Sequence, residues 1–225
     1  MKRTIDPILK DCLLVTLPIK DHFREIHGKE QFLARNFRSP KRVCEFSSGR
    51  LAAKTSLIQA GFLPLPIGKG EQGAPLWPPG AIASLAHDNG LAGCLIAQRG
   101  SQVRSLGLDF ELRSRSLGAK LFPSLFSTPE VDLVQEDLSW KPLAAFCAKE
   151  AIYKCLNPLT KDFFDFKEVQ ITSLEPQSFT AEFQDIQITG YRERFGKIEG
   201  VIRLAQERVI VATGINQRGE WLGKA

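Results

Sequence analysis

Two apolar runs, 81-AIASLAH-87 and 91-LAGCLIA-97, are separated by Asp88-Asn89-Gly90. Asn and Gly tolerate the positive φ that a tight hairpin turn requires, so the stretch reads as two antiparallel strands with His87 at a strand end. A third strand, 105-SLGLDFEL-112, alternates: Leu106, Leu108, Phe110 and Leu112 face one way, Gly107, Asp109 and Glu111 the other. Further strand-like pieces follow at 169–172, 179–183, 186–191 and 208–213. Helical periodicity runs from Val43 to Ala60, where Phe46, Leu51, Leu57 and Ile58 form an apolar side and Gly61 a stop. A second helix starts at Ser127-Thr128-Pro129-Glu130 and ends before Trp140, and a third contains 146-FCAKEAIYKCL-156. Helices and strands in both halves predict an α/β (α+β) fold of two lobes, joined near the Asp109 strand, with mainly antiparallel sheets. The expected lobes are residues 1–105 and 106–225.

A chain of 225 residues, 43% of them hydrophobic, can bury a substantial core. No apolar run approaches the ~18 residues of a membrane span, and 12-CLLVTLP-18 lacks the flanks of a signal peptide, so a cytoplasmic protein is expected. Five cysteines with no C-x-x-C spacing argue against a disulfide framework and a structural zinc site, and His22 and His27 read as surface residues. The net charge of +5 is uneven, because 35-RNFRSPKR-42 carries four bases and no acid. That cluster suits nucleic acid, nucleotide phosphates or an acidic protein, and a solvated face is its plainest explanation. Gly68, Gly70 and Gly73 match G-x-G-x-x-G, but Pro75, Pro78 and Pro79 forbid the helix that would receive a pyrophosphate. A dinucleotide fold is therefore excluded.

The apolar 146–156 helix is interrupted by Lys149, Glu150 and Lys154. Glu150 and Lys154 are four apart and can reach each other or one ligand, while Lys149, turned about 100° from Glu150, can point to solvent. Arg50 and Lys54 likewise share a helix face beside small residues Gly49, Ala52 and Ala53. Asp109 and Glu111 lie side by side, which a solvated strand face also explains. With Glu150 they make an all-oxygen donor set of the kind hard divalent cations prefer. Magnesium completes its shell with water and substrate phosphates, and Arg50, Lys54, His87 and Lys154 would suit a diphosphate bridged to it.

The segments 49-GRLAAK-54, 84-SLAH-87, 107-GLDFE-111 and 146-FCAKEAIYK-154 resemble, in order and wording, the 4′-phosphopantetheinyl transferases of the enterobactin-synthase and surfactin-synthase type, over about residues 40 to 156. The resemblance implies a pseudo-dimer of two similar α/β lobes. It implies transfer of the phosphopantetheine arm of coenzyme A to a serine of an apo acyl or peptidyl carrier protein, with release of 3′,5′-ADP. By the same resemblance Asp109, Glu111 and Glu150 hold Mg²⁺, with Mn²⁺ an alternative, and Lys154 contacts the diphosphate. Glu150, or a water on the metal, takes the serine proton. Arg50 and His87 grip the coenzyme, joined by Lys54 on the reading of its shared helix face with Arg50, and Lys41 and Arg42 lie where such enzymes hold the 3′-phosphate. The sequence departs from the pattern at Ala86, commonly serine, at Phe146, tryptophan in some members, and at Leu108, usually isoleucine or valine.

The expected carrier is acidic, and the positive charge would steer it. Leu117, Leu121, Phe122, Leu125 and Phe126 form a candidate landing site, or else pack inward as core. The chain is expected to act as a monomer, with no nucleic-acid or membrane partner. Two rivals share parts of the pattern: a Mg²⁺-dependent phosphodiesterase or nuclease, which would release product to water, and a non-catalytic coenzyme A binding protein, which would have little need of three acids.

Overall fold

The computed structural model describes residues 4–70, 73–115, 117–184 and 191–223. The chain divides into two compact units, with the break between Val103 and Arg104.

In the first unit, β1 (Thr4–Pro7), β2 (Cys12–Pro18), β5 (Ala83–Asp88) and β6 (Leu91–Ala97) form an antiparallel sheet of order β1-β2-β6-β5. The Asp88-Asn89-Gly90 hairpin forms as its sequence predicts, with Gly90 at φ +87° and His87 opposite Ala92. Short α1 (Gly28–Ala34) precedes α2 (Pro40–Gln59), which packs on β2 and β6. α2 starts three residues before the predicted Val43, because Pro40 suits the first helical turn. It is buried largely through small residues, and the predicted apolar residue Ile58 is 52% exposed. Ser56 donates to the Cys94 carbonyl and Ser48 to that of Lys20, so the hydroxyls of this face find backbone acceptors. The described residues of the Pro- and Gly-rich stretch include a two-residue ladder, β3 (Gly68–Lys69) with β4 (Pro75–Leu76).

In the second unit, β7 (Val103–Leu112) borders a sheet of order β7-β11-β10-β9-β8. Its other strands are β8 (Val169–Glu175), β9 (Ser178–Phe183), β10 (Ile198–Leu204) and β11 (Arg208–Asn216), with β8 to β11 paired antiparallel in succession. Short α3 (Phe122–Leu125), α4 (Thr128–Gln135) and α6 (Tyr191–Phe195) accompany α5 (Lys141–Thr160). The core gathers Ala144, Ala148, Ile152 and Cys155 of α5 with Ile171, Phe179, Ile202 and Val211 of the sheet. β10 was not anticipated, since its Gly200 weakens a strand pattern. The glycine is needed there because a Cβ would lie 2.2 Å from the Phe179 ring. The strand expected at 186–191 lies outside the described residues, except for Tyr191, which begins α6.

Phe122 and Phe126 are 4% and 2% exposed and pack edge to face within this core. That corrects their placement on a landing surface: the apolar periodicity there is a core signal, and of the five residues only Leu121 is exposed as a large apolar side chain. Each unit thus lays one twenty-residue helix on one antiparallel sheet, a mixed α/β architecture of two lobes. Among the described residues no helix is long and apolar enough to cross a membrane.

Candidate active site

β7 approaches α5 so closely that a Cβ on Gly107 would lie 1.8 Å from the Ala151 carbonyl oxygen and 3.0 Å from the Cys155 nitrogen. Ser105 on the same strand donates to the Cys155 carbonyl. Glycine allows backbone to touch backbone, and the next residues on that face, Asp109 and Glu111, are carried against the helix. Both are only 8% exposed, so the face that a strand pattern alone could leave in solvent is covered.

Lys154 donates to Asp109 Oδ1 at 2.7 Å and to the Leu108 carbonyl at 3.1 Å. The sequence allowed a Glu150–Lys154 pair, and the ammonium is instead hydrogen-bonded to Asp109. Arg115 donates to Glu111 Oε1 at 2.5 Å. Beneath these acids the wholly buried Cys147 thiol is pushed well above its usual range, first by burial and then by the charges of Asp109 and Glu111. Glu150 is half-buried; burial pushes its carboxyl up, Lys154 opposes this and Asp109 adds to it. Among the described residues no three His, Cys, Asp or Glu side chains are drawn together as a finished metal site. The donor types are those a hard cation takes, carboxylates from one strand and one helix, and Glu150 is destabilised as an anion first by burial, against Lys154, and then by Asp109.

A cavity of about 290 Å³ opens beside Glu150. α5 contributes Lys149, Glu150 and Tyr153, and the chain after it contributes Phe163 to Phe166 and Val169. Tyr153 meets Phe163 and Phe164 edge to face. Lys149 does not point to solvent. It is 2% exposed and paired with Glu130 Oε1 at 2.7 Å. Burial lowers its pKa, which the charge of Glu130 opposes. One residue's rotation from Glu150 turns it into the protein because Glu130 of α4 waits there. A cation in an apolar helix face was the available signal for such a buried acid.

In the first unit, Arg42 in the first turn of α2 donates to His87 Nε2 of β5 at 3.2 Å and pairs with Glu45 at 3.2 Å. An arginine can only donate, so His87 accepts through Nε2. Lys41 stands beside it, largely exposed, 3.9 Å from Glu45. Arg50 is buried: its Nη2 donates to the Gly68 carbonyl at 3.2 Å, its Nε lies 3.9 Å from Glu30 Oε1, and its guanidinium covers the Phe46 ring at 4.7 Å. Burial lowers the Arg50 pKa against the opposing charge of Glu30. Lys54 donates to the Glu25 carbonyl at 3.1 Å. Arg42 and His87 are therefore brought together, whereas Arg50 and Lys54 are not offered jointly on an open face. The buried Glu30, which also accepts from the Ile67 and His27 amides, escaped the sequence reading. Its signal is its position three residues after a helix cap, where a carboxylate folds back onto the chain.

A strand of acids packed through a glycine against a helix bearing Lys-Glu and a further Lys, with an aromatic cavity on the Glu150 side of that helix, has the make-up of a site for phosphoryl chemistry. Residues 29–97 match the 4'-phosphopantetheinyl transferase N-terminal domain and residues 105–208 the 4'-phosphopantetheinyl transferase superfamily. Similar curated proteins include 4'-phosphopantetheinyl transferase Npt of Nocardia iowensis, 35% identical over 147 residues, which are 64% of each chain. 4'-phosphopantetheinyl transferase PptT of Mycobacterium tuberculosis is 37% identical over 135 residues, 59% of each chain. 4'-phosphopantetheinyl transferase Svp of Streptomyces mobaraensis is 31% identical over 199 residues, 82% of this chain and 80% of the relative. The chain thus spans a little under two thirds of the length of the first two relatives and four fifths of the third. The chain belongs to the 4′-phosphopantetheinyl transferase superfamily.

Proposed function

We propose that the chain transfers the 4′-phosphopantetheine arm of coenzyme A to a serine of an apo acyl or peptidyl carrier protein. The observation that carries this reading is Glu150: a carboxylate with a raised pKa beside Asp109 and Lys154, on the wall of a cavity lined by aromatic side chains together with Lys149 and Asp165, which offers both contact area and polar groups to an extended arm. In the reaction the serine Oγ attacks the phosphorus bearing the arm. The new O–P bond replaces the bond to the bridging oxygen, which leaves with 3′,5′-ADP, and the serine proton passes to Glu150. A raised pKa makes Glu150 a better proton acceptor than an ordinary carboxylate.

Asp109, Glu111 and Glu150 would hold magnesium, or manganese, which when bound offsets negative charge on the diphosphate. Lys154 supplies an ammonium at the same place and stabilises the leaving 3′,5′-ADP. Arg42, with Lys41 and His87, takes a coenzyme phosphate; the pairing of Arg42 with His87 supports this. Arg50 shapes the binding surface through the Gly68 loop, and Lys54 adds charge beside it. The two lobes, 1–105 and 106–225, divide these tasks between coenzyme grip and metal chemistry. An acidic carrier suits the net charge of +5. Five free thiols support a reducing, cytoplasmic setting, and the chain is taken to act as a monomer.

Incubation with fluorescent coenzyme A, Mg²⁺ and a panel of apo carrier proteins tests the proposal. A carrier should gain the label and the mass of the arm. Arm released to water with no carrier modified would favour the phosphodiesterase, and coenzyme binding without turnover the non-catalytic reading.

A further inference from the structure

Glu130 lies in the first turn of α4 and is fully buried. Its Oε2 accepts from the Ser127 amide at 2.7 Å and its Oε1 from the Ile171 amide of β8 at 2.7 Å. Both oxygens also meet the Lys149 ammonium, at 2.7 and 2.9 Å, and that ammonium donates further to the Phe166 carbonyl at 2.6 Å. One carboxylate therefore ties α4, β8 and α5 together and, through Lys149, reaches the segment carrying Phe166. Lys149, Glu150 and Phe166 all line the same cavity. The ammonium bridges the helix that carries Glu150 and the chain that supplies the cavity's aromatic residues.

Stability alone is a weak reason for such a pair, because buried ion pairs can often be replaced by apolar residues without loss. What apolar packing would not reproduce is direction. Three N–H groups aimed at three fixed oxygens set the rotation of α5 at Glu150 and the distance from α5 to Phe166. We infer that Glu130, acting through Lys149, is a positioning residue that fixes Glu150 and the width of the cavity holding the arm of coenzyme A. This rests on the transferase reading above.

The test is the full-length double variant Glu130→Gln with Lys149→Met, which removes both charges and leaves an amide oxygen for the Ser127 or Ile171 N–H. The variant should fold and retain its affinity for 3′,5′-ADP, which lacks the arm. Its KM for coenzyme A should rise, and kcat/KM should fall about 10²-fold, the scale of a 1 Å misplacement. Lys149→Arg, which preserves the ion pair, should keep more activity than the double variant. Wild-type kinetics in a folded double variant would overturn the inference, as would a parallel loss of 3′,5′-ADP affinity, which marks general loosening. Failure of both variants to fold would assign the pair to stability and overturn it too. Failure of the transferase reading is seen separately, in the unmutated chain modifying no carrier, and the inference would fall with it.

Discussion

Replacing Gly107 by alanine tests the strand-to-helix contact on which the acidic site rests. The added carbon would sit 1.8 Å from the Ala151 carbonyl oxygen and 2.7 Å from its carbon. A close but tolerable C–H···O contact is about 3.3 Å, so β7 and α5 must separate locally by about 1.5 Å. Truncating a neighbouring side chain cannot relieve this, because the clashing atoms are backbone. Overpacking costs roughly 1–3 kcal/mol, and the backbone clash places Gly107→Ala at the upper end, about 3 kcal/mol. In a chain of this size that lowers Tm by about 6–12 °C. The same displacement carries Asp109 away from Lys154 and Glu150, and carrier modification should drop about 10²-fold at temperatures where the variant is still folded. Circular dichroism melting and carrier labelling at 25 °C measure the two effects on one sample. A variant with unchanged Tm and unchanged labelling would refute the reasoning, since the contact would then be too soft to position anything.

Glu150→Gln should lower carrier modification by at least about 10²-fold with the fold intact, measured by single-turnover labelling. Its pH dependence has a definite sign: the Glu150 carboxyl is raised in the folded chain, so its contribution to stability is present below the ordinary carboxylate range and is lost as pH rises through the folded value. Glu150→Gln should consequently melt higher than wild type at neutral pH in chelator, and this advantage should vanish in acid. Phe122→Ala should lose about 3–5 kcal/mol of stability in urea unfolding and show no selective rise in carrier KM, because the ring is core. Arg42→Ala should weaken coenzyme A binding by about 1.5–3 kcal/mol in calorimetry without changing Tm, as expected for an exposed side chain giving one charge-assisted hydrogen bond.

The elements most legible in the sequence were those whose local chemistry left one choice. Asp88-Asn89-Gly90 dictated a hairpin, and the alternation over 105–112 dictated a strand with its two acids on one face. α2 was legible in extent to within three residues and largely in orientation: Leu51 and Leu57 are buried and Phe46 packs on the core, whereas Ile58 is exposed and the serines that face the sheet carry no apolar signal. Lys149 and Lys154 were visible as charges on an apolar helix, yet their partners were not. Glu130 and Asp109 lie 19 and 45 residues away, and only packing brings them into reach. Helical spacing suggested Lys154 with Glu150, and β7 supplied a nearer carboxylate. Phe122 and Phe126 were ambiguous for the same reason: a short helix of aromatics reads alike whether its face meets core or solvent.

The buried thiols turn the protein into its own recorder of local opening. Cys12 and Cys94 belong to the first unit and Cys147 and Cys155 to the second, and burial pushes the thiols of Cys12, Cys94 and Cys155 up to about 12 and that of Cys147 well above its usual range. An alkylating reagent needs a thiolate it can reach, so these four are silent until the surrounding structure parts. Cys44, half-buried on α2, supplies an early mark against which the others can be timed. Pulses of reagent followed by peptide mass mapping would then date the exposure of each pair. Simultaneous labelling would mean that the two units melt as one cooperative body, and staggered labelling would reveal which unit yields first.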